Sequence, residues 1–140
     1  MPFREKTAWA MMLILTVAGA YYTNLVLTAS QALGAPAPPI VPFVVAYIVV
    51  IVLAAIVIMI PLAIATPEEA NAPADERERG LQHKAGDYAG YVLGASIIAA
   101  LFNFIVTQDG NLMFHIVFAG LMISQICEYG FQIWFYRRGA

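Results

Sequence analysis

Four long apolar runs alternate with three connections, and the middle connection carries the densest charge, Asp75-Glu76-Arg77-Glu78-Arg79. A helix needs about 20 apolar residues to cross the hydrocarbon layer. The runs at about 8–33, 40–65, 85–106 and 112–136 each reach that length. The pattern predicts an all-α polytopic membrane protein, four transmembrane helices in two antiparallel hairpins, forming a single integral membrane domain over 1–140 with a central loop at 66–84.

Local signals set the boundaries. Gly34 followed by Pro36, Pro38 and Pro39 stops the first run, because proline cannot continue a helix and disfavours helical geometry in the residue before it. Pro42 stands at the start of the second run, where proline is tolerated, and Pro61 near its end predicts a kink. Thr66-Pro67-Glu68-Glu69 reads as a short helix start with a capping hydroxyl, and Asn71-Ala72-Pro73 ends it. Asp75 is placed to cap the helix that becomes the third span. Thr107-Gln108-Asp109-Gly110-Asn111 reads as a tight turn.

Composition agrees with a membrane location. The 140 residues are 61% hydrophobic and 11% charged, with mean hydropathy +0.77; soluble domains hold about 25% charged residues. A net charge of −2 gives no basic surface for nucleic acid. Cys127 is the one cysteine, so no intrachain disulfide forms. Ala18-Gly19-Ala20 resembles a signal cleavage site, but the apolar run continues past it, which favours a retained span.

Seven residues carry positive charge: Arg4, Lys6, Arg77, Arg79, Lys84, Arg137 and Arg138. With four spans, all fall on one side. Lysine and arginine favour the cytoplasmic side, so both termini and the Asp75 loop are expected there, with Trp9 and Trp134 at the interface. Within the loop helix, Glu76 with Arg79 and His83 with Asp87 are spaced to pair on one face.

An internal repeat is also suggested. Asn24-Leu25-Val26-Leu27-Thr28 resembles Asn103-Phe104-Ile105-Val106-Thr107. Two hairpins of equal orientation would be related by an axis along the membrane normal; chance similarity between apolar helices is the alternative.

Glu128 is the residue most suggestive of chemistry. It lies nine residues before Arg137, roughly 13 Å into the membrane at 1.5 Å per residue. An ionised carboxylate there is costly unless paired, hydrated or protonated. Gln125 and Gln132 flank it on the same helix face, giving a polar stripe. The stripe reads either as a structural hydrogen-bonding site, with snorkelling as a variant, or as a proton or cation site. Asn24 and Asn103 are further membrane amides, expected to bond across helices.

Two small-residue faces predict helix packing: Gly86, Gly90 and Gly94 in the third span, and Gly120 and Ser124, with Cys127, in the fourth. His83 and His115 fall on opposite sides of the membrane and cannot share a metal. No phosphate loop, zinc motif or catalytic triad signature is present. No cofactor or metal is expected, nor an enzyme. Asp75, Glu76, Arg77 and Arg79 read as a solvated helix start or as a docking site for a cytoplasmic partner.

The central Asp75-Glu76-Arg77, the helix that follows it into the membrane and the Tyr136-Arg137-Arg138-Gly139 tail together resemble small bacterial four-span membrane proteins of unknown function. That resemblance implies the bacterial inner (plasma) membrane and transfers no catalytic residue. The functional expectation is a small non-enzymatic membrane protein acting through assembly, as a homo-oligomer or as an accessory or regulatory subunit, with the lipid bilayer and a membrane protein as partners. The alternative is a small proton- or cation-coupled transporter or channel using Glu128.

Overall fold

The computed structural model describes residues 3–73 and 75–138; Gly139 of the tail motif lies outside them. Five helices follow one another: α1 Phe3–Leu33, α2 Val41–Ala65, α3 Pro67–Asn71, α4 Glu76–Thr107 and α5 Gly110–Arg138. No strand occurs among the described residues. The four long helices are long and apolar enough to cross a membrane. In hydrocarbon every backbone N–H and C=O must be satisfied within the protein, and a helix does this within each segment.

The helices overrun the apolar runs. α1 starts at Phe3 and α4 at Glu76, so their first turns are charged and stand outside any hydrocarbon layer. Asp75 caps α4 as expected: its carboxylate accepts from the Glu78 backbone N–H at 2.6 Å. Gln108, in the left-handed region at φ 55°, closes α4. The Asp109 carboxylate then accepts from the N–H groups of Asn111 and Leu112 at 2.9 and 3.0 Å, capping α5. Two residues therefore reverse the chain. Thr66 departs from expectation. Its hydroxyl donates back to Leu62 O at 2.9 Å rather than capping α3. A threonine at a helix end has both options.

α5 is the central element, packed on α4 along one face and on α1 along another. The α4 contact is built from small residues. Ala85, Ala89 and Ala100 are buried, and Ser96 shares their face by spacing. Opposite them are Gly120 and Ser124, both buried as their small-residue face predicts. The Ser124 hydroxyl donates to Ala89 O at 2.9 Å across the interface. At Gly120 the helices come so close that a Cβ would run into Ser96 Cβ, with Ser96 Oγ at 2.9 Å.

The other glycine stripe does not pack in this chain. Among the described residues nothing lies within 4 Å of a Cβ built at Gly86, Gly90 or Gly94. The face of α4 that meets α5 is Ala85/Ala89/Ser96/Ala100, about 100° round the helix from the glycines. Gly90 is exposed, as are Ile97, Leu101 and Ile105 on the same side.

α2 is held only lightly. None of its residues is buried. Tyr47 joins Tyr22 of α1 and Phe118 of α5 in an aromatic cluster with ring centroids 4.8–5.7 Å apart. Beyond the cluster, an apolar groove of about 470 Å³ separates α1 from α2. At the uncharged end the α1–α2 link is tied to α5. His115 Nε2 donates to Ala37 O at 2.8 Å, and Ala37 N–H donates to the Ser30 hydroxyl at 3.0 Å.

A twofold relation between hairpins is not realised in the packing. It would pair α2 with α4 as α1 pairs with α5, and α2–α4 is not among the main interfaces. The repeated segments do share a local detail: Thr28 and Thr107 each donate to the carbonyl four residues back, at Asn24 and Asn103.

Gly120→Ala is expected to destabilise the protein by about 1–3 kcal/mol through overpacking. Gly120→Ala combined with Ser96→Gly is expected to recover most of the loss. Thermal unfolding in detergent of both single variants and the double variant checks this, and additive losses would rule it out.

Candidate functional site

Two polar features stand out in a chain of this hydropathy: an ionic cluster at the charged end and the stripe along α5. The cluster is assembled by the first turn of α1, because the antiparallel threading returns α4 and α5 to the same end. Arg4 Nε meets Glu78 Oε2 at 3.0 Å, and an Arg4 Nη donates to Ala72 O at 3.3 Å. Lys6 Nζ lies 4.0 Å from Glu69. Arg137 Nε donates to Glu5 Oε1 at 3.1 Å, with its guanidinium 5.5 Å over the Trp9 ring. The Glu5 side chain is only 10% exposed while that of Arg137 is 62% exposed. The carboxylate is thus sunk between helices and its cation covers it from outside. Exposed ion pairs contribute little singly, but these join α1 to α3, α4 and α5 at once.

Sequence spacing did not find these pairs. The local pairs it suggests are not the ones formed: Glu76, Arg79, His83 and Asp87 are all exposed, and Glu78 pairs with α1 instead. Asp75 serves as the cap, and Arg77 is exposed with Arg79. The partners of Glu5 and Arg137 are 132 residues apart, a separation that no local pattern encodes.

The α5 stripe sits between the two packed faces of the helix. At 100° per residue, Ser124, Phe131 and Phe135 point to α4, and Met122 and Ile133 to α1. Gln125, Glu128 and Gln132 occupy the sector between. Their burial grades along the helix. Gln125 is exposed and lines a groove of about 330 Å³ with Tyr47 and Ile48 of α2, and with Leu15, Phe118 and Met122. Glu128 is half-buried and Gln132 is buried. The Gln132 amide donates to Glu128 Oε1 at 3.4 Å, a long bond. Among the described residues no cation pairs with Glu128.

The remaining polar residues do not join this stripe. Asn24 is exposed, and Asn103 accepts from the Thr107 hydroxyl of its own helix at 3.2 Å. Both were expected to bond across helices. Cys127 is a half-buried free thiol. His115 is engaged with the α1–α2 link at the opposite end from His83. No three His, Cys, Asp or Glu side chains converge among the described residues.

Sequence reasoning missed one member of the stripe. Tyr136 follows Gln132 by four residues on the same face, and its hydroxyl is buried without a well-formed hydrogen bond, with the Gln82 amide of α4 beside it. The i+4 spacing was a sufficient signal, obscured because a tyrosine near a helix end reads as an interface anchor.

Comparison of the chain with protein-family models, with curated proteins and with solved structures finds no match.

Proposed function

We propose that this is a non-enzymatic integral membrane protein that acts by assembly with a second copy or with another membrane protein. The observation that carries the reading is the free glycine face of α4. The chain has two small-residue faces suited to close helix approach. One, Gly120/Ser124, is used within the chain. The other, Gly86/Gly90/Gly94, has no neighbour within 4 Å among the described residues and stands beside exposed Ile97, Leu101 and Ile105. Between apolar helices in lipid, association relies on packing rather than on the hydrophobic effect, and a glycine face allows the backbones to approach. Gly90→Leu should convert an assembled species to the monomer, seen as a fall in the mass of the detergent-solubilised protein. Unchanged mass, with wild-type assembly, would refute the use of this face.

In this reading both termini and the Asp75 loop are cytoplasmic, in a bacterial inner membrane. Support comes from the seven basic residues gathered at one end. A cysteine at the exposed Glu76, with Cys127 changed to Ser, should resist an impermeant maleimide added to intact cells and react in inverted vesicles. Labelling from outside would reverse the threading.

A second reading has its own observation. Glu128 is a half-buried carboxylate at membrane depth that, among the described residues, has a single long hydrogen bond and no cation partner. Such groups mark proton and ion sites more often than chance. Glu128→Gln preserves shape. In proteoliposomes it should fold and assemble as the wild type while abolishing proton flux driven by a potassium diffusion potential. Equal flux from both proteins, or none from wild type, would leave Glu128 as a structural group.

A further inference from the structure

We infer that the α5 stripe continues to the charged end as a water-accessible inlet, through which Glu128 exchanges its proton with the side of the membrane that carries the Asp75 loop. The inference rests on the second reading above and adds the route and its direction.

Three observations carry it. First, the polar side chains are contiguous: Glu128, Gln132 and Tyr136 follow at four-residue steps, so they stack along one face. Gln132 is buried and reaches Glu128. Second, the file ends on charge rather than lipid. The Tyr136 hydroxyl is buried beside Gln82 of α4, within electrostatic reach of Arg4, Glu78 and Asp75. The Arg4–Glu78 pair at the rim is itself about 30% exposed on each side. Third, the file does not continue the other way with comparable cover. Gln125 opens onto an apolar groove walled by α2, and between Asp109 and Glu128 α5 carries only two ionisable groups, His115, which is tied to Ala37, and the Cys127 thiol next to Glu128 itself.

The chemistry of the file suits protons. Amides and a phenol both donate and accept hydrogen bonds, and neither holds a fixed charge at neutral pH. A buried hydroxyl with no good protein partner is a place for water when the cavity is polar. The charged groups acting at the Tyr136 end of the file are Arg4 of α1, Glu78 of α4 and its cap Asp75; the further titratable group beside Glu128 is the uncharged phenol of Tyr129 on α5 itself.

The test is thiol accessibility. In a Cys127→Ser protein, Glu128→Cys, Gln132→Cys and Ile123→Cys are made one at a time. Ile123 is the control because it is 51% exposed on the helix surface yet apolar in setting. A charged methanethiosulfonate reacts with thiolate, which requires water. Applied from the side of the Asp75 loop, it should modify positions 128 and 132 at least about tenfold faster than position 123. Applied from the opposite side, it should modify none. Adding Tyr136→Phe should slow labelling at 128 while leaving elution in detergent unchanged. Rates at 128 and 132 no faster than at 123, or reaction from the opposite side only, would overturn the inlet. Labelling as expected with no wild-type proton flux would keep the inlet and dismiss transport.

Discussion

The fold depends on one close contact, the place where α5 lies against α4 at Gly120 and Ser96. A helix pair in hydrocarbon gains little from burying apolar surface, since lipid is as apolar as leucine. What remains is packing and hydrogen bonding. At this contact both are present: the missing Cβ of Gly120 admits Ser96, and the Ser124 hydroxyl reaches the Ala89 carbonyl. The two-residue link at Gln108 and Asp109 delivers the helices to each other already antiparallel. α4 and α5 form the firm half of the molecule, and α1 adds to it along a second face of α5.

The charged end then converts a layered arrangement into a closed one. Arg4, Glu5 and Lys6 are consecutive on α1, and helical geometry sends them in different directions. Each meets a different element: α4, α5 and α3 respectively. The first turn of α1 thus serves as a hub outside the hydrocarbon layer, where ion pairs do not carry the full desolvation cost of a buried pair. α2 has no such ties at either end beyond its links. With all its residues at least partly exposed, it depends on Tyr22, Tyr47 and Phe118 to hold its place.

The helices and the Asp75 cap were legible because each depends on local sequence: run length, proline and a capping carboxylate. The Gly120/Ser124 face was legible for the same reason. The glycine stripe of α4 was legible as a close-approach surface but not as to its neighbour. Ala85, Ala89, Ser96 and Ala100 form an equally small face one residue round the helix, and which of the two meets α5 is decided by the direction in which the Gln108–Asp109 turn aims the chain. The ion pairs were invisible, because they join residues brought together only after four spans have folded. No hydrogen bond from the Asn24 or Asn103 side chain to another helix occurs among the described residues: Asn24 is exposed and Asn103 Oδ1 accepts within its own helix.

The position of Glu128 follows from the same packing geometry. α5 carries two apolar or small faces, each committed to a neighbour, and one sector between them that faces neither squarely. Polar side chains placed in the α4 face would hold the backbones apart where Gly120 brings them together. Placed in the α1 face they would displace Met122 and Ile133. The intermediate sector takes Gln125, Glu128, Gln132 and Tyr136 without breaking either interface. It is also the sector that runs out at the Arg4–Glu78 pair. A carboxylate there costs less than one aimed at acyl chains, since amide and phenol lie along its own helix face and the Arg4–Glu78 pair of α1 and α4 stands at the end of that face. The packing of α5 on two partners thus leaves a polar sector as a by-product, and proton exchange at Glu128, as proposed above, would use side chains that neither interface requires.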